Sequence, residues 1–399
     1  MRDQFPQLSE QVYGKRLVYL DNAATSLRPQ RVIDLWNDLS SHKNANLHRA
    51  VHHIASVATE EYETTRDAVR LYLNAEFREE IIFTSGATAS INLVAFSFGE
   101  AFVKEGDEII VTEAEHHSNI VPWQMLCERK KAVLKHLEVD ENGHLEYAAL
   151  NTLITPRTKL VCISHISNVL GLTNPVKEIV NICHSNSCPV LIDGAQGIVH
   201  EAVDVRDLDC DFYVFSGHKV FSAPGVGVLY GKKELLEQMP PYMGGGEMIG
   251  TVRWSGTTYA PLPQKFEAGT QNMAGVPTLK PALEIAAELR RNDSDAVRDY
   301  VLDALQRNPR IRIFGLPGGE FKKIPLFSFT VDGAHHEDIA LILDKMGVAV
   351  RSGQMCAEPL MDRFGVTGMV RASFAQYNTL QEAEYFIKSL EKAINMLVQ

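Results

Sequence analysis

CPVLIDGAQ at residues 188–196 and DFYVFSGHK at 211–219 decide how the chain folds. Each is a run of apolar, mostly β-branched or aromatic residues that stops abruptly at polar ones. A strand apolar at successive positions is buried on both faces, as in a parallel sheet covered by helices. Four further runs are built the same way: EEIIFTSG (79–86), GDEIIVTEAEH (106–116), KAVLKHLEV (131–139) and KLVCISHISN (159–168). Amphipathic stretches such as TASINLVAFSFGEAFVKEG (88–106) and PVKEIVNICHSNS (175–187) lie between several of them. Strand–helix alternation predicts an α/β fold with a mostly parallel sheet. In such sheets ligands bind beyond the carboxyl ends of the strands. There this sequence puts Ser85-Gly86, His116-His117, Asn168, Asp193 and the Ser216–Lys219 group. FSAPGVGVLYG (221–231) reads as a flexible connection.

Farther along, the pattern changes. PTLKPALEIAAELRR and DAVRDYVLDALQR read as helices, IPLFSFTVDG as a strand, EDIALILDKMG as a helix, VAVRSG as a short strand, and LQEAEYFIKSLEKAINMLV as a closing helix. These predict a large domain over 16–279 and a smaller α/β domain over 280–399, joined by residues 1–15. At 399 residues the chain is too long for one ordinary core, which fits two units. Hydrophobic residues at 45% and charged residues at 22% are the balance of a soluble globular protein. A net charge of −11 without a Lys/Arg run offers phosphate backbones nothing, so no nucleic-acid partner is expected. No apolar stretch is long enough to span a bilayer, and MRDQFPQLSEQVYGKR lacks a secretory core, so no membrane partner and a cytoplasmic location are expected. Five cysteines, 127, 162, 183, 188 and 210, read as small apolar fillers in a reducing compartment. The His-His pairs at 52, 116 and 335 lack companion ligands, so no metal is expected.

The chemistry begins with Lys219. A lysine at a strand end is usually solvated, whereas one that forms a Schiff base must sit desolvated in a crevice. Asp193 closes a buried strand; it either caps the helix after it or meets a cation, and a protonated pyridine nitrogen is such a cation. Gln196 lies one turn on, within reach of a ring oxygen. TSGATAS (84–90) joins strand to helix, and its amides, with the Thr88 hydroxyl, suit one phosphate, unless they merely cap the helix. Ser216 and His218 add donors beside the lysine. His116, an ordinary histidine taken alone, can stack on a flat ring and move protons. Together these are a phosphate cradle, a stacking ring, a counter-charge and an amine on successive strands.

TSGAT, EHHSNIVPW, SNVLG, DGAQ and SGHK, in this order, resemble the class V aminotransferase family of pyridoxal 5′-phosphate (PLP) enzymes. RSGQMCAEPLMDRFGVTGMVRASFAQYNT (351–379) is similar to the active-cysteine segment of the SufS/CsdA-type (group II) cysteine desulfurases, and the likeness runs from LDNAATS at 20 to the last helix. The resemblance implies a fold-type I transferase with a seven-stranded sheet. It implies that Lys219 holds PLP and then shuttles a proton, Asp193 meets the ring nitrogen, Gln196 the ring oxygen, and His116 stacks. Ala87, Thr88, Ser216 and His218 hold the phosphate, and Thr270 in FEAGT contacts the partner's cofactor, so a homodimer is implied. Asn168 and Arg371 bind the substrate carboxylate; Arg351 lies near the sulfur-transfer loop and His48 lines the entrance. Cys356 attacks the sulfur of L-cysteine and carries it as a persulfide to an acceptor of the SufE or SufU type, for iron–sulfur cluster assembly.

The alternatives are a selenocysteine lyase acting on L-selenocysteine, another class V lyase or transaminase, and an idle dimeric scaffold. Two departures from the family stand out. Gln354 and Met355 replace the usual His-His, and the connection near 289–298 is short.

Overall fold

All six runs form strands, and a seventh joins them. In the computed structural model, which describes residues 2–48, 51–291 and 295–398, these are β1 (Ile81–Thr84), β2 (Glu108–Thr112), β3 (Val133–Leu137), β4 (Thr158–Ser164), β5 (Val190–Asp193), β6 (Phe212–Ser216) and β7 (Gly227–Gly231). Their order across the sheet is β1-β7-β6-β5-β4-β2-β3. Only β7 runs antiparallel to its neighbours. The fold is therefore α/β with a mostly parallel seven-stranded sheet.

Successive strand residues point to opposite faces, and here both faces are buried. Ile81, Phe83, Val161, Ile192 and Tyr213 pack into one apolar cluster, while Ile82, Leu160, Leu191 and Phe212 pack into another. Helix Ala87–Phe102 covers the second face with Ile91, Val94 and Phe98. Helix Val176–Ser185 and helix Leu279–Arg291 cover the first with Ile179, Val180, Leu283 and Leu289.

β7 corrects the flexible reading of FSAPGVGVLYG. All five of its residues are buried. Glycine is needed there because β7 runs against the turn at Gly86: a Cβ on Gly227 would lie 2.4 Å from the Gly86 Cα.

A second sheet is antiparallel, with β8 (Ile311–Phe314), β9 (Leu326–Val331), β10 (Arg351–Gly353) and β11 (Met369–Ser373) in the order β8-β9-β11-β10. Helices Ala296–Arg307, His336–Lys345 and Leu380–Leu397 pack on it around Phe327, Phe329, Val370 and Phe386. VAVRSG is two strands rather than one: Val348–Ala349 pairs with Val18–Tyr19, and β10 pairs with β11. The N-terminal segment is shared, with Phe5 and Leu8 in the large core and Val18 and Leu20 in the small one. The middle of the short connection, 292–294, falls outside the described residues. No helix among the described residues is long and apolar enough to cross a membrane.

One buried ion pair ties the FEAGT segment to this frame. Arg66, on helix His53–Leu73, is fully buried and donates to both oxygens of Glu267 at 2.7 and 2.9 Å. Glu267 Oε1 also accepts from the Phe83 amide of β1. Removing one partner leaves the other charge buried and unpaired. Arg66→Met should therefore cost about 3–5 kcal/mol of unfolding free energy in urea, with most of it recovered in Arg66→Met/Glu267→Leu. A loss below about 1 kcal/mol in the single variant would contradict this account.

Candidate active site

The carboxyl ends of β4, β5 and β6 open onto a cavity of about 250 Å³. Asp193 closes β5 and Lys219 follows β6; Val214 is paired with Asp193 across the two strands, which brings the residues beyond them together. Asp193 is buried and its carboxyl is pushed up by burial, an effect the positive charge of Lys219 opposes. Asp193 does not cap the helix Gly197–His200, whose N-cap is Gln196; its Oδ1 accepts from the Ala195 amide ahead of that helix at 2.9 Å. Lys219 is half-buried and lines the cavity. Burial pulls its amine down, Asp193 pulls it up, and no hydrogen bond holds it among the described residues.

At the near end of helix Ala87–Phe102 the Ala87 amide donates to Ser216 Oγ at 2.8 Å, and Thr88 Oγ1 meets Ser118 Oγ at 2.7 Å. Gly86 there has φ +156°, a conformation that residues with a side chain rarely adopt, so the turn needs glycine although a Cβ would meet Ser216 Oγ only at an ordinary 3.4 Å. His116 lines the cavity and its Nδ1 accepts from the Ser118 amide at 3.0 Å, so a neutral ring carries its proton on Nε2. Burial, with Lys219 adding, pushes its pKa down to about 4. Gln196 is buried and donates to the Ala23 carbonyl, and His218 lines the same space.

Arg371 comes from β11 and is almost wholly buried. Its Nη1 donates to the Asn168 carbonyl at 2.8 Å, its Nη2 reaches Asp21 at 3.2 Å, and its Nε has no partner. Burial lowers its pKa to about 10. Arg351 is more exposed and also leans on Asp21, at 3.2 Å. Arg371 lines the cavity, and a guanidinium there suits a carboxylate.

Cys356 lines this cavity too, although it is the one exposed cysteine of six. It sits in a turn where Met355 and Cys356 both have left-handed φ, +54° and +56°. Three hydrogen bonds hold that turn to the large-sheet unit. The His117 amide donates to Cys356 O at 2.7 Å, Asn168 Nδ2 to Met355 O at 2.9 Å, and the Glu358 amide to His117 Nε2 at 3.1 Å. The Met355 side chain is buried in the large core.

The cavity thus brings together Lys219, Asp193, Gln196, His116, Ala87, Thr88, Ser216, His218, Asn168, Arg371, Arg351 and Cys356. It does not bring in Thr270, which is exposed on a neighbouring surface pocket beside Ser85. Nor does it reach His48, whose ring pairs with Glu63 at 3.0 Å. Sequence reasoning missed Asp21, which holds both arginines, Ser118, and His117 as a clamp. LDNAATS and EHHSN contained them, but a role that depends on a partner hundreds of residues away leaves no local pattern. Among the described residues no group of three or more His, Cys, Asp or Glu is arranged to hold a metal. The donor set fits PLP: helix-start amides for a phosphate, a buried carboxylate for a cationic ring nitrogen, and an amine without a hydrogen bond.

Comparison with known proteins agrees with this chemistry. The family model for class V aminotransferases matches residues 18–386. A probable cysteine desulfurase of Vibrio cholerae is 45% identical over 100% of this chain and 98% of its own length, and a cysteine desulfurase of Shigella flexneri is 42% identical over the same shares. The crystal structure of the Escherichia coli cysteine desulfurase CsdA, in an S-sulfonic acid form, superposes with a TM-score of 0.91 at 39% identity, covering 100% of this chain and 98% of that one. The apo cysteine desulfurase of Thermococcus onnurineus also reaches 0.91, at 35% identity, over 96% and 95%.

The buried histidines set a pH dependence. His116, His165, His200 and His218 are each pushed down to about 4 by burial. The unfolded chain takes protons on all four near the ordinary imidazole value of about 6.5, and the folded chain refuses them until about 4. Unfolding therefore binds protons across that window, and stability falls as pH drops through it. Glu115, raised to about 7 by burial, acts in the opposite direction, as do Glu80, Asp193, Glu201, His48 and His184, all raised; the prediction is that the four histidines, which titrate across the whole window, outweigh them. The urea midpoint should be lower at about pH 5 than at about pH 7; an equal or higher midpoint at the acid end would refute this balance.

Proposed function

The chain belongs to the class V aminotransferase family, and from that membership we infer its reaction: it is a PLP-dependent cysteine desulfurase acting on L-cysteine. The observation that carries this reading is the shared cavity of Lys219 and Cys356, an amine from the large-sheet unit and a thiol from the small-sheet unit. In this reading the large-sheet unit, with Phe5 and Leu8 in its core, binds the cofactor, and the small-sheet unit, with Val18 and Leu20 in its core, brings the cysteine loop. PLP, when bound, supplies a ring that takes up the electron pair left by the substrate's α-proton.

The chain's own residues do the rest. Lys219 carries the cofactor and then holds and returns the proton on Nζ; its lowered basicity suits both tasks. Asp193 keeps the ring nitrogen cationic, Gln196 meets the ring oxygen, and the neutral His116 stacks without adding charge. Ala87, Thr88, Ser216 and His218 bind the phosphate. Arg371 and Asn168, both on the cavity wall, orient the substrate carboxylate. Arg351, which lines the cavity beside Cys356, guards the sulfur-transfer side. The Cys356 thiolate attacks the substrate sulfur: an S–S bond forms, the C–S bond breaks, its electron pair stays on carbon, and a proton there completes alanine.

Exposure of Thr270 outside its own cavity supports a homodimer in which it reaches the partner's cofactor. An exposed hairpin, Ile249–Arg253 with Gly256–Tyr259, carries Val252, Trp254 and Tyr259 toward solvent, which supports a second copy covering that side. An exposed Cys356 supports handover to an acceptor protein of the SufE or SufU type, with iron–sulfur cluster assembly as the destination. Six unbridged cysteines support a reducing, cytoplasmic setting.

Mass analysis of Cys356 after incubation with L-cysteine should find one added sulfur atom, with alanine formed alongside. Lys219→Ala should lose the visible absorbance of the bound cofactor. Cys356→Ser should keep that absorbance and its response to cysteine, yet release almost no sulfur. A Cys356→Ser enzyme as active on cysteine as the parent would remove the persulfide from the mechanism. Turnover of selenocysteine alone would make the chain a selenocysteine lyase.

A further inference from the structure

Lys323 is buried, and no carboxylate accompanies it. Its Nζ donates to the carbonyls of Leu170 and Gly315 at 2.7 and 2.6 Å, and the Phe327 ring lies 5.5 Å away. Burial alone pushes its pKa down to about 7. A buried amine without a counter-charge is costly, and nothing in the reaction described above uses it.

Its neighbours explain the position. Four successive carbonyls of the turn 168–171 each accept from a donor in the small-sheet unit. Asn168 O takes Arg371 Nη1 at 2.8 Å, Val169 O takes Ser328 Oγ at 2.5 Å, Leu170 O takes Lys323 Nζ, and Gly171 O takes the Ile324 amide at 2.8 Å. Just beyond, Leu172–Thr173 pairs antiparallel with Lys322–Lys323. The approach is so close that only glycine fits at two points. A Cβ on Gly171, at φ +63°, would stand 2.8 Å from Leu326 O, and one on Gly315, at φ +74°, would stand 2.5 Å from Leu170 O. At its other end the turn reaches the reaction site: Asn168 lines the cavity and donates to Met355 O, next to Cys356.

We propose that Lys323 and Ser328 are positioning residues for Asn168, fixing the main chain of 168–171 from outside the cavity so that the Asn168 amide stands between the substrate carboxylate and the Cys356 turn. The proposal rests on the desulfurase reading for the substrate, not for the geometry. A neutral amine keeps two N–H donors, one for each carbonyl, so the device works on both sides of the Lys323 titration.

The test uses the PLP-loaded enzyme with Lys323→Met and Ser328→Ala. KM for cysteine should rise about tenfold in Lys323→Met and less in Ser328→Ala, with kcat within about twofold. Without substrate, iodoacetamide should alkylate Cys356 several-fold faster in both, because the Met355 carbonyl loses a fixed partner. The visible absorbance of the bound cofactor should not change. Unchanged KM and alkylation rate would overturn the proposal, and so would a parallel loss of kcat and absorbance, which marks general destabilisation. If Lys323→Met does not fold, Ser328→Ala decides on the same readouts. Alkylation and absorbance need no turnover, so a parent enzyme inert to cysteine would defeat the assigned reaction while leaving the positioning role to be judged.

Discussion

A carboxylate and an amine enclosed at the ends of neighbouring parallel strands are the constraint on which the rest of the site depends. Neither Asp193 nor Lys219 is stable there as an isolated ion, and each shifts the other's proton affinity in the direction of charge. The parallel sheet makes the arrangement possible. Adjacent strands lie about 4.8 Å apart and end at the same edge, so residues 26 positions apart in sequence (219 − 193) are neighbours in space. The same edge gathers Ser164, His116 and Ser216, and both faces of the sheet are packed, so these polar groups have only the cavity to face.

The second constraint is the joint between the two sheets. Arg371 illustrates how tightly it is specified: one nitrogen holds a backbone carbonyl of the large-sheet unit, another holds Asp21 from the N-terminal segment, and the third is buried between them. Asp21 in turn steadies Arg351. A guanidinium engaged on two sides has little rotamer freedom left to lose on binding a carboxylate, and that saving is the physical content of preorganisation. The joint is thus part of the binding site rather than a hinge beside it.

The strand runs, the sheet edge and the residues clustered there were legible because each leaves a local signature: apolar continuity, then an abrupt polar stop. Lys219 and Asp193 gained meaning only from that shared position. FSAPGVGVLYG misled because glycine and proline ordinarily mark loops; here Gly227 is what lets β7 approach Gly86. β11 lies inside the segment that carries the cysteine motif, and β8, IRIF, is only four residues long with two of them partly exposed, so neither leaves a distinct apolar run. Thr270 and His48 lie outside the cavity, and nothing local in FEAGT or NANLHRAVH reports that distance. Gln354 and Met355 read as lost imidazoles. The buried Met355 side chain shows a different role, as an apolar anchor beneath the turn.

That anchor bears on how Cys356 can serve two partners. Two non-glycine residues in the left-handed region cost about 1–3 kcal/mol each. Against this stand three hydrogen bonds, about 0.5–1.5 kcal/mol apiece, and burial of one methionine, about 1.5–3 kcal/mol. The terms nearly cancel, with a small surplus on the side of order. A turn so balanced holds its sulfur on the cavity without being locked there. Under the proposed reaction Cys356 must meet the substrate inside and an acceptor outside, and a deeply stabilised turn would favour the first at the expense of the second. With no imidazole at 354 or 355, the ring that touches this turn is His117 on the large-sheet unit, whose Nε2 accepts the Glu358 amide only while unprotonated. The hold on the cysteine therefore comes from the same strand end that supplies His116: one histidine of that dipeptide lines the cavity and the other grips the turn.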